Sequence, residues 1–310
     1  MKRILVTGCG SLIGQGIIRT LKASTKKYII FGTDYINDSV GLYWVKKGFI
    51  LPDILKNKNK SLWIKKILKI ITKNKINYLI PGLDFELEYL SKNKNLIEKE
   101  TSCKVIISDS KIIKNFNDKW LTVKYLKENK FHYPKSCLPQ TLNQFLKTNK
   151  FPLIVKPRIG STSKNVFTVN NLKELKQAIK KCPRPIIQEY LFKNNNEYTC
   201  GCLYNLSKKV FLNSISLNRK LKNGNTIIAT HKKNAIFHAI NKYLTKVTKF
   251  VKPNGPINYQ LCFTKKKPII FEINPRFSGT TPLRNNFGVN EIDILIDSLE
   301  GKKIKKTKVK

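Results

Sequence analysis

The chain has 310 residues, 41% of them hydrophobic, and sets 60 Lys and Arg against 19 Asp and Glu for a formal charge of +41, a length that predicts two or three lobes around one site. Such a charge invites a nucleic-acid reading, but only 7 of the 60 cations are Arg, the residue preferred for bidentate phosphate and base recognition, and no DNA- or RNA-binding pattern occurs; no nucleic-acid partner is expected. No run of 18 uncharged apolar residues exists and "MKRILVTGCG" leads straight into a strand, so the expectation is a cytoplasmic protein with no membrane partner.

In chain order, residues 2–24 ("KRILVTGCGSLIGQGIIRTLKAS") predict a strand, a glycine turn and an amphipathic helix, and "YIIFGTDY" predicts a second strand ending near Asp34. "SLWIKKILKIITKNK" has helical spacing, "INYLIPGLD" is an apolar strand running into a loop, "FELEYLSKNKNLIEKE" is a helix and "KVIIS" a strand. This alternation predicts a parallel sheet covered on both faces over residues 1–108. The pattern then changes: the helix "NDKWLTVKYLKENK" precedes two strands joined by a Gly/Ser/Thr loop ("FPLIVKPRIGSTSKNVFTV") and the helix "NLKELKQAIKK". After "CPRPIIQEYL" come the antiparallel pair "EYTCGCLYN" and "KVFLNSISLNR", the helix "AIFHAINKYLTKVTKFV", and the strands "INYQLCF" and "PIIFEINPRF". Seven cysteines are scattered through apolar segments with no Cys-x-x-Cys pair, so buried thiols are expected rather than disulfides or zinc.

Gly8, Gly10, Gly14 and Gly16 suit either close helix–strand packing or approach to a phosphate. The spacing is not G-x-G-x-x-G, although G-x-x-x-G-x-G fits from Gly10 to Gly16 and Asp34 lies where an adenosine ribose could be held. A nicotinamide-dependent reductase is therefore a rival reading. The Tyr-x-x-x-Lys pairs such reductases use, Tyr43 with Lys47 and Tyr204 with Lys208, are no more than random placement of 12 Tyr and 53 Lys would give.

The second half holds a spaced set of groups suited to a nucleotide. Lys119 follows Asp118 on a helix, Lys156 ends an apolar strand, and "RIGSTSK" supplies backbone N–H groups and hydroxyls. Gln260, Glu272 and Asn274 are oxygen donors on neighbouring strands, with Arg276 next; Glu272 and Asn274, two apart, share a face. Magnesium takes a carboxylate and an amide oxygen together with phosphate oxygens, and cations offset phosphate charge. A Glu within an apolar strand must be paired or bind metal.

These residues in this order, with "FEINPRFSG" as the most specific piece, resemble the ATP-grasp superfamily, and within it the carboxylate-binding synthetases typified by carbamoyl phosphate synthetase and biotin carboxylase. The resemblance implies mixed α/β and α+β architecture: a Rossmann-like pre-ATP-grasp parallel sheet (1–108), a small ATP-grasp lobe with the glycine loop (109–187), and a C-terminal ATP-grasp lobe with the metal and phosphate site (188–310). It implies that Lys119 and Lys156 contact ATP phosphates, that Gly160, Ser161, Thr162 and Ser163 form the loop above them, and that Glu189, Tyr190 and Leu191 form the hinge meeting adenine. Glu197 is implied as the ribose-hydroxyl acceptor, Gln260, Glu272 and Asn274 as ligands of Mg2+ or alternatively Mn2+, and Arg276, with Lys156, as the residue stabilising the transferred phosphoryl group. Gln260 stands where many members carry an acid, which makes a single metal conceivable.

The activity so implied is an ATP-dependent carboxylate–amine ligase acting on small metabolites through an acyl phosphate, releasing ADP and phosphate, with a homodimer compatible with the resemblance. The absence of a glutamine-hydrolysing half and of a biotin carrier argues against carbamoyl phosphate synthesis and biotin carboxylation. Besides the reductase, the alternatives are a kinase-like phosphotransferase and a nucleotide-binding protein without turnover. Arg219 and Arg284 are weighed evenly between anion binding and solvated surface, and Asp84 between the ligand edge of the first sheet and a helix N-cap.

Overall fold

The computed structural model describes residues 1–160, 164–192, 196–222, 224–304 and 309. Its first part alternates strand and helix: β1 (Lys2–Val6), α1 (Leu12–Lys22), β2 (Tyr28–Asp34), α2 (Val40–Tyr43), β3 (Lys47–Ile50), α3 (Lys60–Asn74), β4 (Tyr78–Ile80), α4 (Asp84–Glu100) and β5 (Lys104–Val105). The middle contains α5 (Ser110–Asn117), α6 (Lys119–Glu128), β6 (Ser136–Cys137), α7 (Leu142–Thr148), β7 (Leu153–Pro157), β8 (Phe167–Val169), α8 (Leu172–Lys181) and β9 (Pro185–Glu189). The remainder is β10 (Glu197–Asn205), β11 (Val210–Lys222), β12 (Asn225–Thr230), α9 (Ala235–Val251), β13 (Gly255–Thr264), β14 (Lys267–Asn274), α10 (Thr281–Asn286) and α11 (Glu291–Leu299).

Three sheets result, in the orders β3-β2-β1-β4-β5, β6-β9-β7-β8 and β12-β11-β10-β13-β14. The first is wholly parallel and the other two antiparallel. The parallel sheet is covered on both faces, as its near-continuous apolar strands require. On one side α3 and α4 supply Ile67, Ile71, Leu87 and Leu90 against Leu5, Phe31 and Leu79. On the other, Ile4, Ile17 and Ile18 join Leu203 and Ile215 of the third sheet and Ile292, Leu295 and Ile296 of α11 in one core cluster.

Local chemistry sets the helix ends. Asn234 caps α9 by accepting from the Phe237 N–H at 3.2 Å, and Phe237, Ile240, Leu244, Val247 and Val251 form the buried stripe laid on the third sheet. Asp118 caps α6 by accepting from the Trp120 N–H at 2.8 Å. The acidic helix α11, not read as an element from sequence, ties itself to the parallel sheet: Ser24 and Tyr28 donate to Asp293, Tyr78 donates to Glu300, and Lys2 pairs with Glu300.

Buried pairing also fixes α10 and α11 to the third sheet. Arg284, read as anion binder or surface residue, is 1% exposed and pairs with the equally buried Glu291 at 2.8 Å. The pair lies against Gly201 of β10, where a Cβ would come within 2.0 Å of Glu291 Oε1. Only glycine allows that approach. All seven cysteines are free and buried, and among the described residues no helix is long and apolar enough to cross a membrane.

Candidate active site

A cavity of about 560 Å³ opens between the three sheets, a size suited to a small-molecule site. One end is apolar and aromatic. Ile154 of β7 and Val166 and Thr168 around β8 face Tyr190, Phe192 and Phe271, whose rings meet edge to face at 5.8 Å (Tyr190–Phe192) and 5.2 Å (Phe192–Phe271). A flat heteroaromatic group fits such a slot.

Next to the slot sit two lysines. Lys156, 6% exposed, places Nζ 5.2 Å from the centre of the Phe271 ring. Burial, and secondly the Lys119 ammonium, push its pKa down to about 8. Lys119 opens α6 and donates to the Gly160 carbonyl at 2.9 Å. Its backbone N–H donates to the Arg158 carbonyl at 2.9 Å, while the Arg158 guanidinium clamps Asp118 with Nη2 2.6 Å from Oδ2. The α6 cap and the start of the glycine loop are thus one hydrogen-bonded unit that aims Lys119 into the cavity. Ser161, Thr162 and Ser163 lie outside the described residues.

The opposite wall is the face of β13 and β14. Gln260 pairs directly with Glu272 and Asn258 with Asn274, and a bulge between Gln260 and Leu261 keeps the strand bent beside the site. Glu272 Oε1 accepts from Asn274 Nδ2 at 2.9 Å and from Gln260 Nε2 at 3.2 Å, and Oε2 lies 3.9 Å from Lys119 Nζ. Burial pushes its carboxyl up, but Lys119, Lys156, the Asn274 amide and Arg276 outweigh that and hold it below the usual range. Gln260 Oε1 accepts from Arg219 at 2.8 Å, and Arg219 is in turn paired with Glu197.

This donor set bears on a divalent cation. Among the described residues no group of three or more His, Cys, Asp or Glu could hold a metal, and Glu272 is the one carboxylate on the β13–β14 face. The arrangement fits a magnesium ion held by one carboxylate and otherwise by amide oxygens, nucleotide phosphates and water. It does not fit a cage made by protein alone.

The third wall comes from the parallel sheet, through Ser11, Leu12 and Ile13 at the start of α1 and Gly82 to Phe85 before and within α4. Arg276 crosses to it, with Nε 2.7 Å from Asp84 Oδ1 and Nη2 3.2 Å from Oδ2. Asp84 is the first residue of α4, whose cap position is Leu83, so it is a cavity residue and not the N-cap. The glycine turn is packed shut: a Cβ on Gly10 would lie 1.8 Å from Ser39 Oγ, and one on Gly14 2.2 Å from the Gly8 carbonyl. Asp34, 5% exposed, accepts from Gly10 N–H, Tyr35 N–H and Ser39 Oγ, which leaves it committed to the turn and removes the ribose anchor of the reductase reading.

The structure brings Lys119, Lys156, Gly160, Tyr190, Glu197, Gln260, Glu272 and Arg276 to one cavity. Asn274 stands behind Glu272. Glu189 turns away and accepts from the Lys135 N–H at 2.7 Å, and Leu191 packs with Cys262, Ile269 and Phe271. Sequence reading missed Asn258, Phe192, Phe271 and the β11–β12 hairpin, which contributes Leu221, Gly224, Asn225 and Thr226. Signals existed for two of them: Asn258 precedes Gln260 by two on a strand, and the Asn-Gly at 223–224 between β-prone runs is a hairpin signature.

A family model described as the ATP-grasp domain matches residues 116–280. A D-alanine–D-alanine ligase of Fusobacterium nucleatum is 35% identical over 65 residues, a stretch that covers 21% of this chain and only 22% of that ligase. Among solved structures, the N5-carboxyaminoimidazole synthetase of Staphylococcus aureus complexed with ADP superposes with a TM-score of 0.76 at 13% identity, over 99% of this chain and 80% of that one. A biotin carboxylase of Campylobacter jejuni gives 0.75 at 15% identity, over 99% and 73%. At these identities the structural likeness establishes the fold.

Proposed function

The chain belongs to the ATP-grasp domain family, and on that premise we propose that it is an ATP-dependent carboxylate–amine ligase working through an acyl phosphate. The observation that carries the reading is Glu272, kept ionised between Lys119 and Lys156 and facing a cavity with an aromatic slot at one end and a lone arginine–aspartate pair at the other.

In this reading adenine occupies the slot at Tyr190, Phe192 and Phe271, with the 189–191 backbone as hinge and Glu197 near the ribose hydroxyls. Lys119 and Lys156 lie along the phosphates, and the Gly160 loop with Ser161, Thr162 and Ser163 closes over them. Magnesium, or manganese in its place, would be held by Glu272 with Gln260 and Asn274, and when bound it offsets phosphate charge. A substrate carboxylate takes the γ-phosphoryl group with Arg276 beside the transferred charge, ADP leaves, and an amine displaces phosphate. Catalysis is then positional and electrostatic, as phosphoryl transfer generally is.

The lobes 1–108, 109–187 and 188–310 each supply one wall in this scheme. Partners are a small carboxylate and an amine, with homodimer assembly a further expectation. Seven free thiols support a reducing, cytoplasmic setting.

The test is Glu272→Gln, assayed for ADP release with a panel of carboxylates and hydroxylamine as the amine. Turnover should fall at least about 100-fold, the scale seen when one electrostatic group is removed from an active site, while the circular dichroism spectrum is kept. Parent-like turnover by the folded variant refutes the assignment.

A further inference from the structure

Charge is unevenly distributed along the cavity. Lys119 opens α6, and Lys156, Lys164, Arg219, Glu197 and Glu272 lie on the second and third sheets or their loops. At the end built by the parallel sheet and residues 276–283, from the β14–α10 loop into α10, the only charged lining residues among those described are Arg276 and Asp84, which pair at 2.7 Å. Around that pair the lining is neutral or apolar, with Leu12, Ile13, Leu83, Phe85 and Leu283.

Resting on the ligase reading, we propose that the carboxylate substrate is an α-amino acid with an apolar side chain, its carboxylate held by Arg276 and its ammonium by Asp84. A cation and an anion side by side present complementary charge to a zwitterion of amino-acid size. A phosphorylated or doubly anionic substrate would find one cation there, already neutralised. Arg276 can serve both partners: Nε and Nη2 engage Asp84 and Nη1 donates to the Phe277 carbonyl, and a guanidinium has five N–H groups. The leucines and Phe85 then meet the side chain.

The chemistry balances with ATP and a second amine. One carboxylate oxygen attacks the γ-phosphorus, the bond to the β,γ-bridging oxygen breaks, and its electron pair departs with ADP. A neutral amine attacks the acyl carbon, the carbon–oxygen bond to phosphate breaks, and the amine gives up a proton to the departing phosphate or to water. Held as ammonium by Asp84, the amino acid's own nitrogen has no lone pair and does not compete as nucleophile.

The experiment uses the full chain with MgATP and hydroxylamine, measuring ADP and hydroxamate for leucine and phenylalanine, for their des-amino counterparts isocaproate and hydrocinnamate, and for phosphoglycerate. Loss of the ammonium contact predicts kcat/KM about 10- to 100-fold lower for the des-amino acids. In Asp84→Asn that ratio should fall toward one, mainly through KM; the parent's substrate ratios stand as the test even where this variant fails to fold. A ratio near one in the parent, or a ratio unchanged in folded Asp84→Asn, overturns the proposal. Hydroxamate from a des-amino or phosphorylated acid alone overturns it and leaves the ligase reading intact, whereas no ADP or hydroxamate with any acid overturns both.

Discussion

Removing the charge of Lys156 should make the protein more stable while destroying its affinity for ATP. A lysine held at about 8 instead of 10.5 costs the folded state about 3 kcal/mol at neutral pH, at roughly 1.36 kcal/mol per tenfold change in proton affinity. The Phe271 ring beneath Nζ offsets about 1 kcal/mol of this. Lys156→Met keeps the stem packed on that ring and should therefore raise stability by about 2 kcal/mol at pH 7. The pH dependence has a definite sign. Below pH 8 both folded and unfolded parent are protonated and the cost is complete. Between 8 and 10.5 the unfolded chain binds more protons, so the parent gains stability as pH rises. Urea unfolding of both proteins at pH 7 and again near pH 9.5 should show the variant's advantage in full at the first and reduced, to about 1 kcal/mol, at the second. Saturating MgATP should reverse the order at pH 7, because ligand at a hundredfold excess over Kd adds about 2.7 kcal/mol to the protein that binds it. A variant less stable than the parent at pH 7 without nucleotide, or an advantage independent of pH, refutes the reasoning.

Gly201→Ala should cost about 3–5 kcal/mol, because the new methyl forces apart the buried Arg284–Glu291 pair; a urea midpoint close to the parent's would show that the pair moves freely. Gly10→Ala should lose about 1–3 kcal/mol by displacing Ser39 Oγ from Asp34, yet leave MgATP affinity intact. Calorimetric titration checks this, and a large fall in affinity would place the turn beside the nucleotide.

Much of this was legible where local pattern and chemistry coincide. The alternation in "FEINPR" put Glu272 and Asn274 on one face because strand periodicity is fixed, and the glycine turn announced a strand-to-helix connection. The pairings that give the cavity its character were not legible. Arg276 meets Asp84 across 192 residues of sequence and Arg219 meets Glu197 across 22, and with 60 cations available no rule selects these partners. Strand β12, and with it the hairpin to β11, was missed because "NTIIAT" sets two adjacent isoleucines among polar residues and shows no hydrophobic alternation. Helix α11 escaped for the opposite reason: "EIDILIDSL" is buried on most sides, which hides its amphipathic stripe. Asp34 was legible as a strand-end carboxylate, but its use inside the turn depended on Ser39 folding back onto it.

The joint core of α1, β1 and α11 has a consequence for biosynthesis. A chain emerges from the ribosome amino end first and tends to fold in units as they appear. Here Ile4, Ile17 and Ile18 complete their core with Leu203, Ile215, Ile292, Leu295 and Ile296, and the polar ties from Ser24 and Tyr28 to Asp293 span 269 and 265 residues. While the intervening chain is translated, the face that carries α1 stays apolar and only partly covered, a surface of the kind that chaperones hold. The opposite face, closed by α3 and α4 from nearby sequence, can form early.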